Sequence, residues 1–140
     1  MKASVKWIEG MTLEGVANDH KVNIDLDPPA GKATGMSPGE MMGTAILGCK
    51  AISFASLAKK YDIDFESLEL ELEASSKKDG KIEGTHLNRK VYDTMHIIYK
   101  IKTSKTKEEM EEFLEIVNGL CIVGNSLHQD IKHSHEIIIL

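Results

Sequence analysis

At residues 37–60 the sequence reads SPGEMMGTAILGCKAISFASLAKK, and this stretch predicts a long buried helix. Ser37 can cap the helix, Pro38 suits its first position, and Glu40 can complete a capping box. The interior is apolar on most sides and rich in glycine and alanine, and Lys50 is its only charge before the carboxyl end. This composition is typical of a central helix against which other backbone packs closely.

Strands are predicted on both sides of this helix. Before it, apolar and polar residues alternate over residues 3–7 and 22–26, which indicates an opening β-meander. The next residues, 27–37, are punctuated by proline and glycine and are predicted to form a loop. After the helix, the same alternation over residues 68–73 and 95–102 indicates two more strands. The polar residues 75–90 between them are interpreted as a long hairpin connection.

A second helix is predicted near the end of the chain. Thr106 and Glu109 form a capping box, and Gly119 is expected to end the helix. Its apolar face consists of Met110, Phe113, Leu114 and Val117. A short helix to about Gln129 and a strand over residues 136–140 complete the chain. Because strands and helices are segregated, we predict an α+β fold rather than parallel βαβ units.

Length and composition favour one soluble domain over residues 1–140. The net charge is −5 and Arg89 is the only arginine, so a nucleic-acid-binding surface is not expected. No segment is judged to approach the roughly 20 apolar residues that span a bilayer, and the N-terminus lacks a signal-peptide core. We therefore expect no membrane contact and a cytoplasmic location.

Cys49 and Cys121 are the only cysteines. In a reducing compartment they could be inert buried thiols, metal ligands or redox groups, and composition does not choose among these. Cys121 is placed at a helix start, which favours thiolate, whereas Cys49 lies inside a helix and needs a nearby cation or donor. Three histidines near Cys121 suggest a metal site, but their spacing is poor and no CxxC pair is present. They are His128, His133 and His135.

Three motifs resemble the OsmC/Ohr family (osmotically inducible protein C and organic hydroperoxide resistance). They are Ser37–Met42, Leu47-Gly48-Cys49, and Cys121–Leu127. The resemblance covers nearly the whole chain. It implies an OsmC-like fold, with antiparallel sheets packed around a long buried central helix, in an intertwined homodimer with active sites at the subunit interface.

The resemblance also implies an activity. Cys49 would be the peroxidatic cysteine and Cys121 the resolving one in a thiol-dependent peroxidase. Its substrates would be organic hydroperoxides, with hydrogen peroxide as a second candidate, and it would belong to the oxidative stress response. An external thiol or dithiol would restore both cysteines, with no metal and no bound organic cofactor. The alternative is a non-enzymatic dimeric binding or redox-sensing protein that retains the fold.

Two positions depart from the peroxidases of that family. Those peroxidases carry glutamate directly after the helix-start proline, whereas this chain has Gly39 there and Glu40 one residue later. A shift of one residue along a helix rotates the side chain by about 100°. Those peroxidases also use an N-terminal arginine, and here none precedes Arg89. These departures resemble the divergent YhfA-like branch. The cation near Cys49 is therefore expected from the partner subunit or from a lysine, with Lys21, Lys32 and Lys50 as candidates.

Two aromatic residues are expected in the core or in a pocket wall. Trp7 lies in the first predicted strand and Phe54 in the long helix. In a hydroperoxide enzyme, an apolar wall beside the thiol would favour organic peroxides over hydrogen peroxide.

Overall fold

A meander of three antiparallel strands opens the chain in the computed structural model, which describes residues 1–140. The strands are β1 (Ala3–Glu9), β2 (Thr12–Ala17) and β3 (His20–Ile24), in that order across the sheet. Gly10 and Asn18 both adopt positive φ in the tight turns between them. The meander predicted from the alternating sequence is confirmed. It belongs to the first of two structural units, Met1–Ala45.

The loop after β3 is organised around the buried carboxylate of Asp25, which is 1% exposed. The Thr34 hydroxyl donates to it at 2.7 Å, the Leu26 N–H at 2.8 Å and the Thr12 hydroxyl at 3.1 Å. These donors, Thr34 above all, hold the pKa of Asp25 well below its usual range. A side chain at Gly31 would meet the Leu26 carbonyl oxygen at 2.1 Å, so this turn requires glycine.

The long helix, α1 (Pro38–Ala58), begins at the predicted capping box. The Ser37 N–H donates to Glu40 Oε2 at 2.7 Å, and the Glu40 N–H donates to Ser37 Oγ at 3.3 Å. Both bonds satisfy N–H groups that the first turn of a helix leaves without partners. The predicted start of the helix is confirmed, and its end lies two residues before the predicted one.

Only one face of α1 is buried in this chain. We call it the buried stripe, and it consists of Ile46, Lys50, Phe54 and Ala58, spaced four residues apart. Ile52, on another face, is 72% exposed. The expectation of a helix buried on most sides is therefore wrong for the single chain.

The expectation that no segment could span a bilayer is also wrong. By length and composition α1 meets that criterion, as core helices of soluble proteins also do.

The second unit, Ile46–Leu140, contains a three-stranded sheet. Its strands are β4 (Ser67–Lys81), β5 (Asn88–Lys102) and β6 (Lys132–Ile139), in that order. β4 and β5 are antiparallel, but β5 and β6 are parallel, which differs from the antiparallel sheets expected. The chain leaves β5, passes through two helices and returns in the same direction, as parallel pairing requires. Most of residues 75–90 is strand rather than connection, and β6 begins four residues earlier than predicted.

Two helices connect β5 to β6. They are α2 (Lys107–Leu120) and α3 (Ile122–Asn125). The Thr106–Glu109 capping box and the buried apolar face of α2 are confirmed. Gly119 does not end α2, which continues to Leu120, and α3 is shorter than predicted. Cys121 therefore caps both helices, at the end of one and the start of the next.

The core of the second unit contains an aromatic cluster around Phe54, which is fully buried. The Phe54 ring lies edge-on to Phe113 of α2 at 5.0 Å and to Phe65 at 5.2 Å between centroids. This placement confirms Phe54 as a core residue. Trp7 is 66% exposed, and its indole N–H donates to the Gly10 carbonyl at 3.0 Å, so its predicted place in a core is wrong for the single chain.

Candidate active site

The structure brings Cys49 and Cys121 together as free thiols. Cys49 lies beside the buried stripe of α1 and is partly exposed, whereas Cys121 is 0% exposed at the junction of α2 and α3. The two thiols are near enough to shift each other's pKa, and the Cys121 thiol lowers that of Cys49.

The Cys49 sulfur is set up to carry negative charge. The Val123 N–H lowers its pKa most, and the Cys121 thiol and the Ile122 N–H add to the effect. The positive charge of Lys50 lowers the pKa further. Burial opposes these contributions but does not outweigh them. The backbone donors come from the first turn of α3, so a thiol in the middle of one helix uses the N–H groups of another.

Cys121 has the opposite character. Burial raises the pKa of its thiol, and the nearby Cys49 sulfur raises it further. The Gly124 N–H donates to Cys121 Sγ at 3.3 Å, as a helix cap does, but this bond does not offset the burial. The expectation that its helix-start position would favour thiolate at Cys121 is therefore wrong. At the same pH, a larger fraction of Cys49 than of Cys121 is therefore thiolate, the form that acts as a nucleophile.

Lys50 is the cation of this site. Its side chain lies in the buried stripe at 8% exposure, and its Nζ is 2.5 Å from Asn118 Oδ1. Burial lowers the pKa of Lys50, while the charges of Cys121 and Cys49 act in the opposite direction. No carboxylate forms an ion pair with it. Of the three lysines considered from the sequence, Lys50 is the one whose charge reaches Cys49.

The other candidates for activating Cys49 have other partners. Lys21 pairs with Glu14 at 3.3 Å, and Lys32 pairs with Glu9 at 2.5 Å. Glu40 serves the capping box of α1, and the Ser37 backbone N–H lowers its pKa.

A cavity of about 230 Å³ adjoins Lys50 and the α2–α3 junction. Its walls include Lys50 from α1, Tyr99 from β5, Asn118 from α2, and His133 and His135 from β6. Tyr99 is almost fully buried, which raises its pKa, and its hydroxyl lies 3.4 Å from Asn118 Oδ1. The cavity therefore has both polar and apolar walls, and Lys50 is the only lysine or arginine among them.

The fold brings two of the three histidines together and places the third elsewhere. His133 and His135 share one face of β6, as their spacing predicts, and both line the cavity. Burial, and then Lys50, lower the pKa of His133, while His135 Nε2 lies 2.6 Å from Glu111 Oε2. His128 lies beside Asp130 instead. No group of three or more His, Cys, Asp or Glu side chains is arranged to hold a metal ion.

Comparison with known proteins shows the family to which the chain belongs. The family model described as OsmC-like protein matches residues 31–136. The chain belongs to the OsmC-like family. The protein YhfA of Escherichia coli strain K12 is 29% identical over 141 aligned positions, covering 99% of this chain and 98% of YhfA.

Solved OsmC-like structures share the fold over nearly their whole length. An OsmC-like protein from Mycoplasma pneumoniae superposes with a TM-score of 0.82 at 15% identity, covering 99% of this chain and 96% of that one. An organic hydroperoxide resistance protein OsmC from Legionella pneumophila gives a TM-score of 0.70 at 11% identity, with the same coverage. The α+β, OsmC-like fold predicted from the sequence is confirmed.

Sequence reasoning missed two polar residues of this site, although each carries a signal. Asn118 follows Leu114 by four residues, so it extends the buried face of α2. Tyr99 occupies the buried side of β5, between Ile97 and Ile101. A polar group on an otherwise apolar face needs a partner inside the protein, and these two side chains meet each other.

Proposed function

We propose that this OsmC-like protein is a thiol-dependent peroxidase for organic hydroperoxides, with Cys49 as the peroxidatic and Cys121 as the resolving cysteine. The observation that carries the proposal is that the fold brings Cys121 beside Cys49, whose pKa is lowered by the Val123 and Ile122 N–H groups and by the Cys121 thiol. Membership of a family that includes organic hydroperoxide resistance proteins supports the same chemistry.

In the first step, the Cys49 thiolate attacks one oxygen of the hydroperoxide. An S–O bond forms as the O–O bond breaks, and the leaving alkoxide takes a proton to become an alcohol. Cys49 is thereby oxidised by two electrons to a sulfenic acid. The lowered pKa of Cys49 and its partial exposure suit it to this role.

In the second step, the Cys121 sulfur attacks the sulfenic sulfur of Cys49. A disulfide forms and water leaves, carrying the sulfenic oxygen and the thiol proton. An external dithiol then reduces the disulfide by two exchanges, which return both protein thiols and leave the dithiol oxidised. Burial of Cys121 fits a group that reacts with its neighbour rather than with solvent.

We further propose that the chain acts as a homodimer in the cytoplasm, where reduced thiols are available. The exposed apolar side chains of Ile52 and Trp7 support a second copy as partner, because large apolar groups in contact with water favour association. Sedimentation equilibrium tests this separately. A stable folded monomer at micromolar concentration contradicts the dimer.

The test of the activity is consumption of cumene hydroperoxide and of hydrogen peroxide with dihydrolipoamide as electron donor. We expect turnover by the wild-type protein, faster with cumene hydroperoxide, and none by Cys49→Ser. Cys121→Ser should accumulate a Cys49 sulfenic acid that dimedone traps. Ser56→Ala, an exposed change on the same helix, is the matched control and should keep the wild-type rate.

Absence of turnover in the wild-type protein, or equal rates in wild type and Cys49→Ser, contradicts the peroxidase. Reversible disulfide formation without turnover would instead indicate a redox-sensing protein.

A further inference from the structure

The cavity beside the two thiols contains a positive charge that no carboxylate of the chain neutralises. Lys50 is the only lysine or arginine in its wall, and no aspartate or glutamate lines it. The ammonium group is nearly buried, and its hydrogen-bond partner is the neutral amide oxygen of Asn118. Buried charges in proteins are normally paired, because an unpaired one loses the stabilisation that water gives it.

The charge lies next to the redox pair. At Gly124, a Cβ atom would lie 3.2 Å from Cys121 Sγ and 3.8 Å from Lys50 Nζ, so a single glycine separates the thiol from the ammonium. In the reduced protein, the Cys49 thiolate can balance the Lys50 charge. A Cys49–Cys121 disulfide carries no charge, so after oxidation Lys50 lacks any anionic neighbour in the cavity.

We propose that this cavity binds the carboxylate of a small organic acid, with Lys50 as its counter-ion. The inference rests on the proposed function, because the acid would be the hydroperoxide or the thiol that reacts at the neighbouring cysteines. One ammonium matches the single charge of a carboxylate, whereas phosphate sites gather several cations or backbone N–H groups.

The size of the cavity favours a short acid. About 230 Å³ corresponds to the space of about seven or eight water molecules at roughly 30 Å³ each. Tyr99 and His133 supply polar walls around the carboxylate, and Ile97 supplies an apolar one. A short acid fits within this volume, whereas a long acyl chain would extend out of it.

Binding is tested with propionate, and with propionamide as its neutral isostere, at constant ionic strength. We expect saturable shifts of the Gly124, His133 and Ser134 amide resonances with propionate and none with propionamide. This comparison uses the wild-type protein and does not depend on the folding of any variant. Lack of saturation by propionate, equal binding of the amide, or tighter binding of inorganic phosphate would overturn the proposal.

The role of Lys50 is tested by Lys50→Met, which keeps most of the length of the side chain and removes the charge. Propionate affinity should fall by about tenfold or more. Lys102→Met is the matched control, because Lys102 pairs with Glu66 at 2.6 Å on the surface of the same unit, and its affinity should not change. Equal propionate affinity in Lys50→Met and the wild type contradicts the proposal.

Reaction rates show whether the carboxylate belongs to the reductant or to the peroxide. Reduction of the oxidised protein by 3-mercaptopropionate is compared with reduction by 3-mercaptopropanamide at matched thiolate concentration, and a short hydroperoxy acid is compared with its amide as oxidant. A preference for the acid in one arm, lost in Lys50→Met, assigns the carboxylate to the reductant or to the peroxide. No preference in either arm overturns its role in turnover.

The two proposals fail separately. Cys49→Ser has no peroxidatic thiol, yet it should still bind propionate, because the cavity and Lys50 remain. If the wild-type protein binds propionate but consumes no peroxide, the peroxidase is contradicted and the binding site stands. If it consumes peroxide but does not bind propionate, the reverse holds.

Discussion

For both Cys49 and Cys121, the position in a helix suggests a pKa shift opposite to the one that the thiol has. Cys49 lies in the interior of a 21-residue helix, far from either end, yet its pKa is lowered. Cys121 caps a helix, yet its pKa is raised because it is buried. Thiolate stabilisation therefore depends on where N–H groups point in three dimensions, not on the helix to which the cysteine belongs.

The two regions share one core, and removing its central ring should have the largest effect. Phe54 of α1 packs on Phe113 of α2, so Phe54→Ala removes an aromatic contact between the helix of Cys49 and the helix that leads to Cys121. We expect a loss of about 3–5 kcal/mol in the free energy of unfolding, measured by urea denaturation. Ser56→Ala should change it by less than about 0.5 kcal/mol. Similar losses in the two variants would contradict the shared core.

The difference between the two thiols should appear directly in their reactivity. At pH 7, iodoacetamide should alkylate Cys49 roughly 100-fold faster than Cys121, because Cys49 has the lower pKa and the greater exposure. Mass spectrometry of peptides from timed samples measures both rates. In guanidinium chloride the two should react at similar rates. Equal rates in the folded protein would contradict the difference in pKa and exposure between the two thiols.

The helix caps should affect stability without affecting this difference. Ser37 caps the helix of Cys49, and Thr106 caps the helix that ends at Cys121. Ser37→Ala and Thr106→Ala should each reduce the free energy of unfolding by about 1 kcal/mol, measured by thermal or urea denaturation. Each variant is the matched control of the other. A change in the alkylation ratio in either would show that a distant cap controls the thiols.

The smallest expected effect is that of the Lys50 charge on Cys49. The positive charge lowers the pKa of Cys49, so Lys50→Met should raise it and move the alkylation rate profile to higher pH. At pH 7 the thiolate fraction falls, and alkylation should slow by roughly twofold to fourfold. Lys102→Met should leave the profile unchanged. A profile shifted to lower pH in Lys50→Met would contradict the assigned direction.

The sequence predicted the features that depend on neighbouring residues. Both capping boxes are short patterns, and Ser37 with Glu40 and Thr106 with Glu109 form as their spacing indicates. The buried face of α2 follows from helical periodicity. The family motifs around both cysteines gave the fold, which the solved OsmC-like structures confirm.

Features that depend on distant residues were missed. The parallel pairing of β6 with β5 joins residues such as His133 and Met95, and no local pattern specifies that direction. The N–H groups that reach Cys49 belong to Val123 and Ile122, more than 70 residues later in the chain. The spacing of Ile46, Lys50 and Phe54 did contain a signal, because it places a charge between two apolar residues on one helix face.

The 71 residues between Cys49 and Cys121 mean that a bond between them has a consequence for the chain as a whole. A bond between them would close about half of the polypeptide into a covalent ring. By loop-closure entropy, a ring of that size disfavours the unfolded state by about 4 kcal/mol at 25 °C. The oxidised protein would thus resist heat and proteases better than the reduced one. Exposure to peroxide would then prolong the lifetime of the protein in addition to changing its cysteines.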